Sequence, residues 1–527
     1  VNLYLSLNKA LTLYANREAI ADGAKRFTYE QFGGRVSALT HVLSGLRMRK
    51  GAVVAMLAPN CHEYMEAYYA CAVLGVILNP LNFRLSPHEL VDILDDSEAE
   101  ILIAHGDFAE HVTAMLAQSS QVKHVIWFGA GRRPKAGIPA LEYEEVLAER
   151  AGCSMLCADV ETDDIAQLYY TSGTTGRSKG VMLTQGNVAS NALGAVCELK
   201  LSDADVWAHV APMFHLVDAW AVFAITWIGG KHVFLPYFKA NEVLPLIQAE
   251  AVTLATMVPT MVNSLLGDPA LKQYSYESLR MILTAGSPVA PEQVRRVVDE
   301  FDCDYLQFYG MTETSPFLTV SIPKSHMLDW PLEKLLQVKS RTGRPFIGVE
   351  VKVVRADGSE VETNDLEVGE VVARGPNVMK GYWNKPDATK EAIRGGWMHT
   401  GDLAVVDSEG YINVVDRKKD MIITGGENVY STEVEYAIYE HPEVIECAVL
   451  GIPDPDWGEK VKAFVVTRSG AELDETELIK FVKERIAGYK APRSVEFLKE
   501  LPKTGSGKIY KKGLRDQYWH DREKQIN

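Results

Sequence analysis

The chain has 527 residues, 47% of them hydrophobic and 24% charged, which is a globular composition and too long for one ordinary domain. Its net charge of −16, from 54 basic and 70 acidic residues, argues against general nucleic-acid binding. Seven scattered cysteines suggest no disulfide framework, no signal peptide is read, and the apolar runs near 67–83 and 219–230 are too short or too broken to span a bilayer, so a cytoplasmic protein without an integral membrane segment is expected.

Residues 1–160 alternate helical and strand-like segments. Helices are expected over Phe27–Gly45 and Asn60–Leu74, and strands at Val53–Leu57, Ile101–Ala104 and Val122–Phe128. Such alternation predicts parallel sheets covered by helices. No chemistry is read in this part.

The apolar run Ile165–Tyr170 predicts a short strand leading into TSGTTGRSKG. Glycines 173, 176 and 180 permit backbone angles closed to other residues, and main-chain N–H groups there can form a concave anion site. Thr171, Ser172, Thr174 and Thr175 add hydroxyl donors and Lys179 a mobile positive charge, a set suited to a polyphosphate. The Walker pattern is absent. A rival reading is a serine hydrolase, because residues 176–180 fit G-x-S-x-G with Ser178 as nucleophile. That elbow requires the serine directly after a strand, whereas seven polar or glycine residues intervene here.

His215 lies within VAPMFHLVDAWAVF, an apolar and aromatic run where a lone histidine is by default a hydrogen-bonded core residue. Residues 281–316 form two strand-plus-loop units, MILTAGSPV and DYLQFYGMTET. Loops at the carboxyl ends of parallel strands are where ligands of such sheets bind. Tyr309 offers a flat face for a purine, Gln307 an amide, Gly310 room beside it, Thr312 a donor for phosphate, and Glu313 a hard oxygen ligand for magnesium. Residues 317–340 read as a helical excursion and 341–416 as a β-rich subdomain. After a charge cluster at Asp416–Asp420, a Gly-Gly loop, strands and a helix near Glu475–Ala487 suggest a small α+β domain. Residues 417–527 carry 19 basic and 20 acidic residues, so this part repels anionic ligands far less than the rest.

YTSGTTGRSKG resembles the phosphate-binding signature of the adenylate-forming enzymes, which include acyl-CoA synthetases, luciferases and the adenylation domains of peptide synthetases. YGMTE, GWMHTGDL, DRKKD, GGENVYS and PKTGSGK follow in the family's order, so the resemblance covers most of the chain. It implies an ATP-dependent acid–CoA ligase, most similar to the medium- and long-chain fatty-acid–CoA ligases, that takes a small-molecule carboxylic acid, a medium- or long-chain fatty acid or an aryl acid, and uses ATP, Mg2+ and coenzyme A. An adenylating enzyme that loads a carrier protein, or a luciferase-like oxygenase, is the alternative within the family. The implied architecture is an N-terminal domain of residues 1–416, a hinge at 417–419 and a mobile C-terminal domain of residues 420–527. A homodimer is the family-level expectation.

The resemblance also implies individual roles. Thr171, Ser172, Gly173, Thr174, Thr175, Gly176 and Lys179 would hold the phosphates, with Thr312 on the α-phosphate and Glu313 and Thr171 on the metal. Gly286, Gln307, Tyr309 and Gly310 would form the adenine side. Asp402 would accept from both ribose hydroxyls, an apt pairing for a carboxylate. Arg417 would reach the ribose or phosphate, and Lys419 would stand at the pivot. Gly425 and Gly426 would flank the pantetheine arm of coenzyme A, and Lys508 would be the catalytic lysine. His215, Trp220, Ala285 and Gly310 would line the acid pocket, with Trp220 gating an acyl tunnel. Amino-acid-activating relatives carry an aspartate where His215 stands, so an acid without an α-amino group is implied. Asp218 is expected as an extra residue in this loop.

Overall fold

The computed structural model describes residues 2–131, 137–171, 178–287, 289–468, 470–504 and 509–519. It contains four sheets. The first has nine strands, and its core is parallel. In spatial order the parallel strands are Asp304–Gly310, Met281–Ala285, Leu254–Met257, Val206–His209, Lys231–Phe234 and Glu18–Asp22. Lys25–Thr28 closes one side antiparallel, and Phe317–Val320 followed by Arg344–Pro345 closes the other. The second sheet has eight strands. Its parallel part comprises Ile165–Thr171, Ile77–Pro80, Val53–Leu57, Ile101–His105, His124–Phe128 and Ala140–Glu142. The fully buried runs VVAML and ILIA explain these central strands, since a parallel strand covered on both faces needs no polar alternation.

A third, antiparallel sheet uses residues between Glu350 and Arg417, as the β-rich reading expected. A fourth is built from Ile422–Thr424, Glu427–Val429, Val444–Asp454, Gly458–Thr467 and Ser494–Phe497, with the helices Ser431–Tyr439 and Glu475–Lys483. Among the described residues no helix is long and apolar enough to cross a membrane.

The expected elements differ mainly at their ends. The helix expected from Phe27 begins at Tyr29, because Thr28 closes a capping box with Gln31 and Lys25–Thr28 is spent on an antiparallel pair. The helix expected from Asn60 begins at His62, since the Asn60 amide is engaged by the carbonyls of His209, Ala211 and Leu235. The strand expected from Val122 starts at His124. The reading of 317–340 as helical is corrected: Phe317–Val320 is a buried strand paired antiparallel with Asp304–Gly310, and the helix occupies only Leu332–Ser340.

Candidate active site

Strands Ile165–Thr171 and Lys179–Thr184 pair as an antiparallel hairpin, with Thr171 opposite Lys179. Ser178 therefore stands at the foot of a hairpin and leads into a strand. The helix Gln185–Glu198 begins only after that strand. A nucleophile elbow needs a strand-to-helix turn at the serine, so the hydrolase reading is set aside. Ser172, Gly173, Thr174, Thr175 and Gly176 lie outside the described residues, as does Lys508.

The hairpin delivers Lys179 to the YGMTE loop. Its ammonium stands 5.0 Å from the centre of the Tyr382 ring, a cation–π distance. The Tyr382 hydroxyl donates to Glu313 Oε1 at 2.9 Å. Burial raises the Glu313 carboxyl above the ordinary glutamate value, while its own backbone, the Tyr382 hydroxyl and the Lys179 charge partly oppose that rise. Burial outweighs these partners, so the carboxylate is under-compensated. A hard cation at this oxygen is the chemistry that relieves it, so the donor set fits magnesium. Thr312 precedes it in the same turn and is buried. Sequence reasoning missed Tyr382, whose only signal was a GYW string 69 residues from its partner.

A second cluster lies at the end of the neighbouring strand. Tyr309 donates its hydroxyl to Asp402 Oδ2 at 2.8 Å. Arg417 faces Asp402 across the adjoining strand pair, with Nε 3.6 Å from Oδ1. Burial and the Asp402 charge hold the Tyr309 phenol well above the ordinary tyrosine value. Gln307 pairs in register with Thr284, and its Nε2 donates to Ser287 O at 3.4 Å, while its buried Oε1 has no donor among the described residues. Ala285 ends the adjacent strand, and Gly286 follows with φ +92°, a left-handed conformation that favours glycine. Tyr309, Gln307, Gly286, Asp402 and Arg417 are thus grouped at the carboxyl ends of two neighbouring parallel strands and on the adjoining sheet.

Gly310 is glycine for a reason other than the one expected. A Cβ there would come within 1.8 Å of the Pro316 carbonyl oxygen, so the space beside it is filled by the chain's own backbone. Lys419 is half-buried. Its pKa is lowered by burial and then by the neighbouring Arg417 charge. Gly425 and Gly426 form the two-residue turn between Ile422–Thr424 and Glu427–Val429, with φ +59° and +85°. Positive φ at both central residues is the tight hairpin turn that glycine permits. A Cβ on Gly425 would meet the Trp457 ring at 2.6 Å.

His215 caps the helix Leu216–Ile228, its Nδ1 accepting from the Val217 N–H at 3.2 Å. Trp220 lies one turn further on and is 1% exposed. Its ring meets Trp207 and Phe317 edge-on at 4.9 and 5.0 Å, and its Nε1 donates to Val217 O. In this conformation it packs in the core instead of standing at a tunnel mouth. Asp218, expected as an extra loop residue, lies inside the first turn of that helix and is fully buried.

Residues 7–383 match the model of the AMP-binding enzyme family, and residues 433–508 match that of the AMP-binding enzyme C-terminal domain. A feruloyl-CoA synthase from Amycolatopsis sp is 40% identical, over 95% of this chain and 96% of its own. A long-chain-fatty-acid–CoA ligase of Salmonella typhimurium is 33% identical, over 96% and 93%. The crystal structure of the anthranilate CoA ligase AuaEII in complex with anthranoyl-AMP superposes with a TM-score of 0.89 at 27% identity, covering 98% of this chain and 97% of the other. The hairpin lysine, the buried carboxylate and the tyrosine–aspartate pair occur in a chain matched along nearly its whole length by such enzymes, and this chain belongs to the AMP-binding enzyme family.

Proposed function

We propose that the acid activated by this chain is an aromatic carboxylic acid of hydroxycinnamate size, and that the residues described above carry the reaction. The activity itself is that of an AMP-forming acid–CoA ligase, with ATP, magnesium and coenzyme A as the other requirements. The observation that carries the aromatic reading is the 40% identity to a feruloyl-CoA synthase along almost the whole of both chains.

In the first half-reaction the acid's carboxylate oxygen attacks the α-phosphorus of ATP, and pyrophosphate leaves with the electrons of the broken P–O bond. Lys179 neutralises charge on the polyphosphate, Thr312 donates to the α-phosphate, and Lys508 is assigned to the developing charge. Glu313 would hold the magnesium, which would supply further neutralisation of phosphate charge. Asp402 orients the ribose and Tyr309 the purine. The rate gain comes from positioning and preorganised charge, as little covalent chemistry is asked of the protein. In the second half-reaction the coenzyme A thiolate attacks the acyl carbonyl and AMP departs. We place the large domain at residues 1–416, the hinge at 417–419 and the mobile domain at 420–527. Turning about the hinge would withdraw Lys508 and bring the Gly425–Gly426 turn to the pantetheine arm. The start of the second family match at residue 433 and a fourth sheet confined to residues 422–497 support that division. Seven free thiols, scattered and odd in number, support a reducing, cytoplasmic setting.

The test is acid-dependent ATP–pyrophosphate exchange and coenzyme A-dependent AMP release. The panel would run from acetate to palmitate and include benzoate, anthranilate, cinnamate, coumarate and ferulate. Turnover greatest on cinnamates supports the reading. A maximum on aliphatic acids overturns the substrate class, and exchange without any coenzyme A effect would move the acceptor to a carrier protein.

A further inference from the structure

The least expected feature of the molecule is a chain of polar groups buried behind the acid loop. Asp218, His209, His232 and Thr226 are all fully buried. Asp218 Oδ1 accepts from Trp207 Nε1 at 3.1 Å, and its Oδ2 lies 2.5 Å from His209 Nδ1. His209 Nε2 is 3.0 Å from His232 Nδ1, and His232 Nε2 is 3.1 Å from Thr226 Oγ1.

The protons can be assigned along this chain. Thr226 donates to the Val222 carbonyl at 2.7 Å, so its oxygen accepts from His232 Nε2–H. Burial, with the His209 charge beside it, pushes His232 well below histidine's ordinary value, and it stays neutral. Its Nδ1 is then the acceptor for His209 Nε2–H. One proton remains between His209 Nδ1 and Asp218. Each of these contacts joins a donor to an acceptor, the condition under which a buried polar network can rigidify its surroundings.

Its placement gives it a purpose. His209 is the last residue of the strand Val206–His209, and Asp218 is in the first turn of the following helix. The pair closes the intervening loop at both ends. That loop carries Met213, Phe214 and His215. From the loop after the strand Val53–Leu57 and from the helix His62–Leu74, respectively, Asn60 Oδ1 accepts from the Met213 N–H at 2.8 Å and Tyr68 donates to the Met213 carbonyl at 2.8 Å. Trp207, held by Asp218, is the ring on which Trp220 packs.

We propose that Asp218 is a positioning residue for the acid site: clamped by His209 and Trp207, it fixes the 210–215 loop and the Trp220 indole, and so the shape offered to the acid. This rests on the assignment of that loop to the acid pocket but not on the acid being aromatic.

The experiment compares Asp218→Ala, Asp218→Asn and Trp207→Phe. An asparagine can accept from Trp207 and donate to His209 Nδ1, so it keeps every contact. We expect Asp218→Ala to raise KM for the preferred acid by at least about tenfold, the cost of leaving buried partners unpaired, and to flatten the preference across the acid panel. KM for ATP should stay within about twofold and Asp218→Asn within about threefold of the parent for the acid, since neither loses a contact. Should the alanine variant fail to fold, Trp207→Phe removes one clamp and keeps an aromatic ring, and the same split is expected. Equal changes in both KM values, or none in either, overturn the proposal. Hydrogen exchange of the unliganded full chain gives a second reading independent of any acid. Amides 213–217 should lose protection in Asp218→Ala or Trp207→Phe and keep it in Asp218→Asn, and unchanged protection in the disrupted variants overturns the clamp. Absence of exchange by the parent enzyme on every acid would instead fault the functional reading, with the hydrogen-exchange result still deciding the clamp.

Discussion

Tyr309 and Asp402, 93 residues apart in the chain, are joined by a 2.8 Å hydrogen bond from the phenol to the carboxylate. The bond ties the carboxyl end of a strand in the nine-stranded sheet to the antiparallel sheet that leads to Arg417. It also occupies one carboxylate oxygen that a ribose hydroxyl would share. Asp402→Ala removes both the proposed ribose acceptor and the partner of a buried phenol. KM for ATP should rise roughly 10- to 100-fold, as hydrogen bonds to charged groups contribute about 1.5–3 kcal/mol. Tyr309→Phe keeps the flat face and frees the carboxylate oxygen, so its effect on KM for ATP should be smaller. Initial-rate kinetics on the two variants check this order, and a larger loss in Tyr309→Phe would move the ribose contact away from Asp402.

Glu313 links the proposed metal site to stability. Unfolded, its carboxyl ionises near 4.5, and burial raises that value in the fold. The native state therefore retains a proton that the unfolded chain releases. Its contribution to stability is present in full below the unfolded value and is lost as pH rises through the raised folded one. Glu313→Gln should flatten this loss, giving a higher Tm than the parent in metal-free buffer above that range. The same variant should lose adenylation by at least about 100-fold, since a metal's neutralisation of phosphate charge is worth several kcal/mol. Tyr382→Phe removes only the hydrogen bond to Glu313, and a weakening of magnesium dependence by roughly 10-fold is expected of such a supporting contact. Thermal melts from pH 4 to 8 and magnesium titrations of exchange test the pair. A parent-like pH profile in Glu313→Gln would show that the carboxylate is not the strained group.

The order of motifs made the family and the sheet-and-helix architecture legible before any coordinates. Strand Val53–Leu57 was read at its observed ends because a central parallel strand is apolar throughout. Element starts were less legible where a polar residue served a distant partner, as Asn60 does with three carbonyls, the farthest 175 positions away. The strand Phe317–Val320 looked helical because its identity depends on pairing with Tyr309 and Phe308, which local spacing does not encode. Tyr382 and the Asp218 clamp escaped for the same reason: each is defined by who faces it across the fold. Gly310 is expected from the sequence to leave room for a substrate, and the Pro316 carbonyl that demands a glycine there is visible only in three dimensions.

The division of labour between the two half-reactions gives a further expectation. Lys508→Ala should cripple acid-dependent ATP–pyrophosphate exchange while thioester formation from preformed acyl-adenylate continues. Lys419→Pro fixes φ at the proposed pivot and should do the reverse, leaving exchange and blocking thioester formation. Measuring the half-reactions separately decides the matter. Equal loss of both in Lys508→Ala would remove that lysine from its assigned step, and unaltered thioester formation in Lys419→Pro would move the hinge elsewhere.

The Gly425–Gly426 turn can be tested without touching the hinge. Gly425 sits at φ +59° with its Cα against the Trp457 ring. Gly425→Val therefore faces two costs: a left-handed conformation disfavoured by about 1–2 kcal/mol for a residue with a Cβ, and a collision with the indole. Gly426, at φ +85°, has open space where a Cβ would be, so Gly426→Ala bears only the conformational cost. If this turn serves the thioester step, Gly425→Val should slow thioester formation from preformed acyl-adenylate well beyond Gly426→Ala, and both variants should keep exchange near the parent rate. Pairing Gly425→Val with Trp457→Ala removes the collision and leaves the φ strain, so the double variant should recover towards Gly426→Ala. Such recovery would show that the defect lies in the turn's shape. A double variant no better than Gly425→Val would assign the whole effect to backbone strain, and loss of exchange in either glycine variant would show that the turn also supports adenylation.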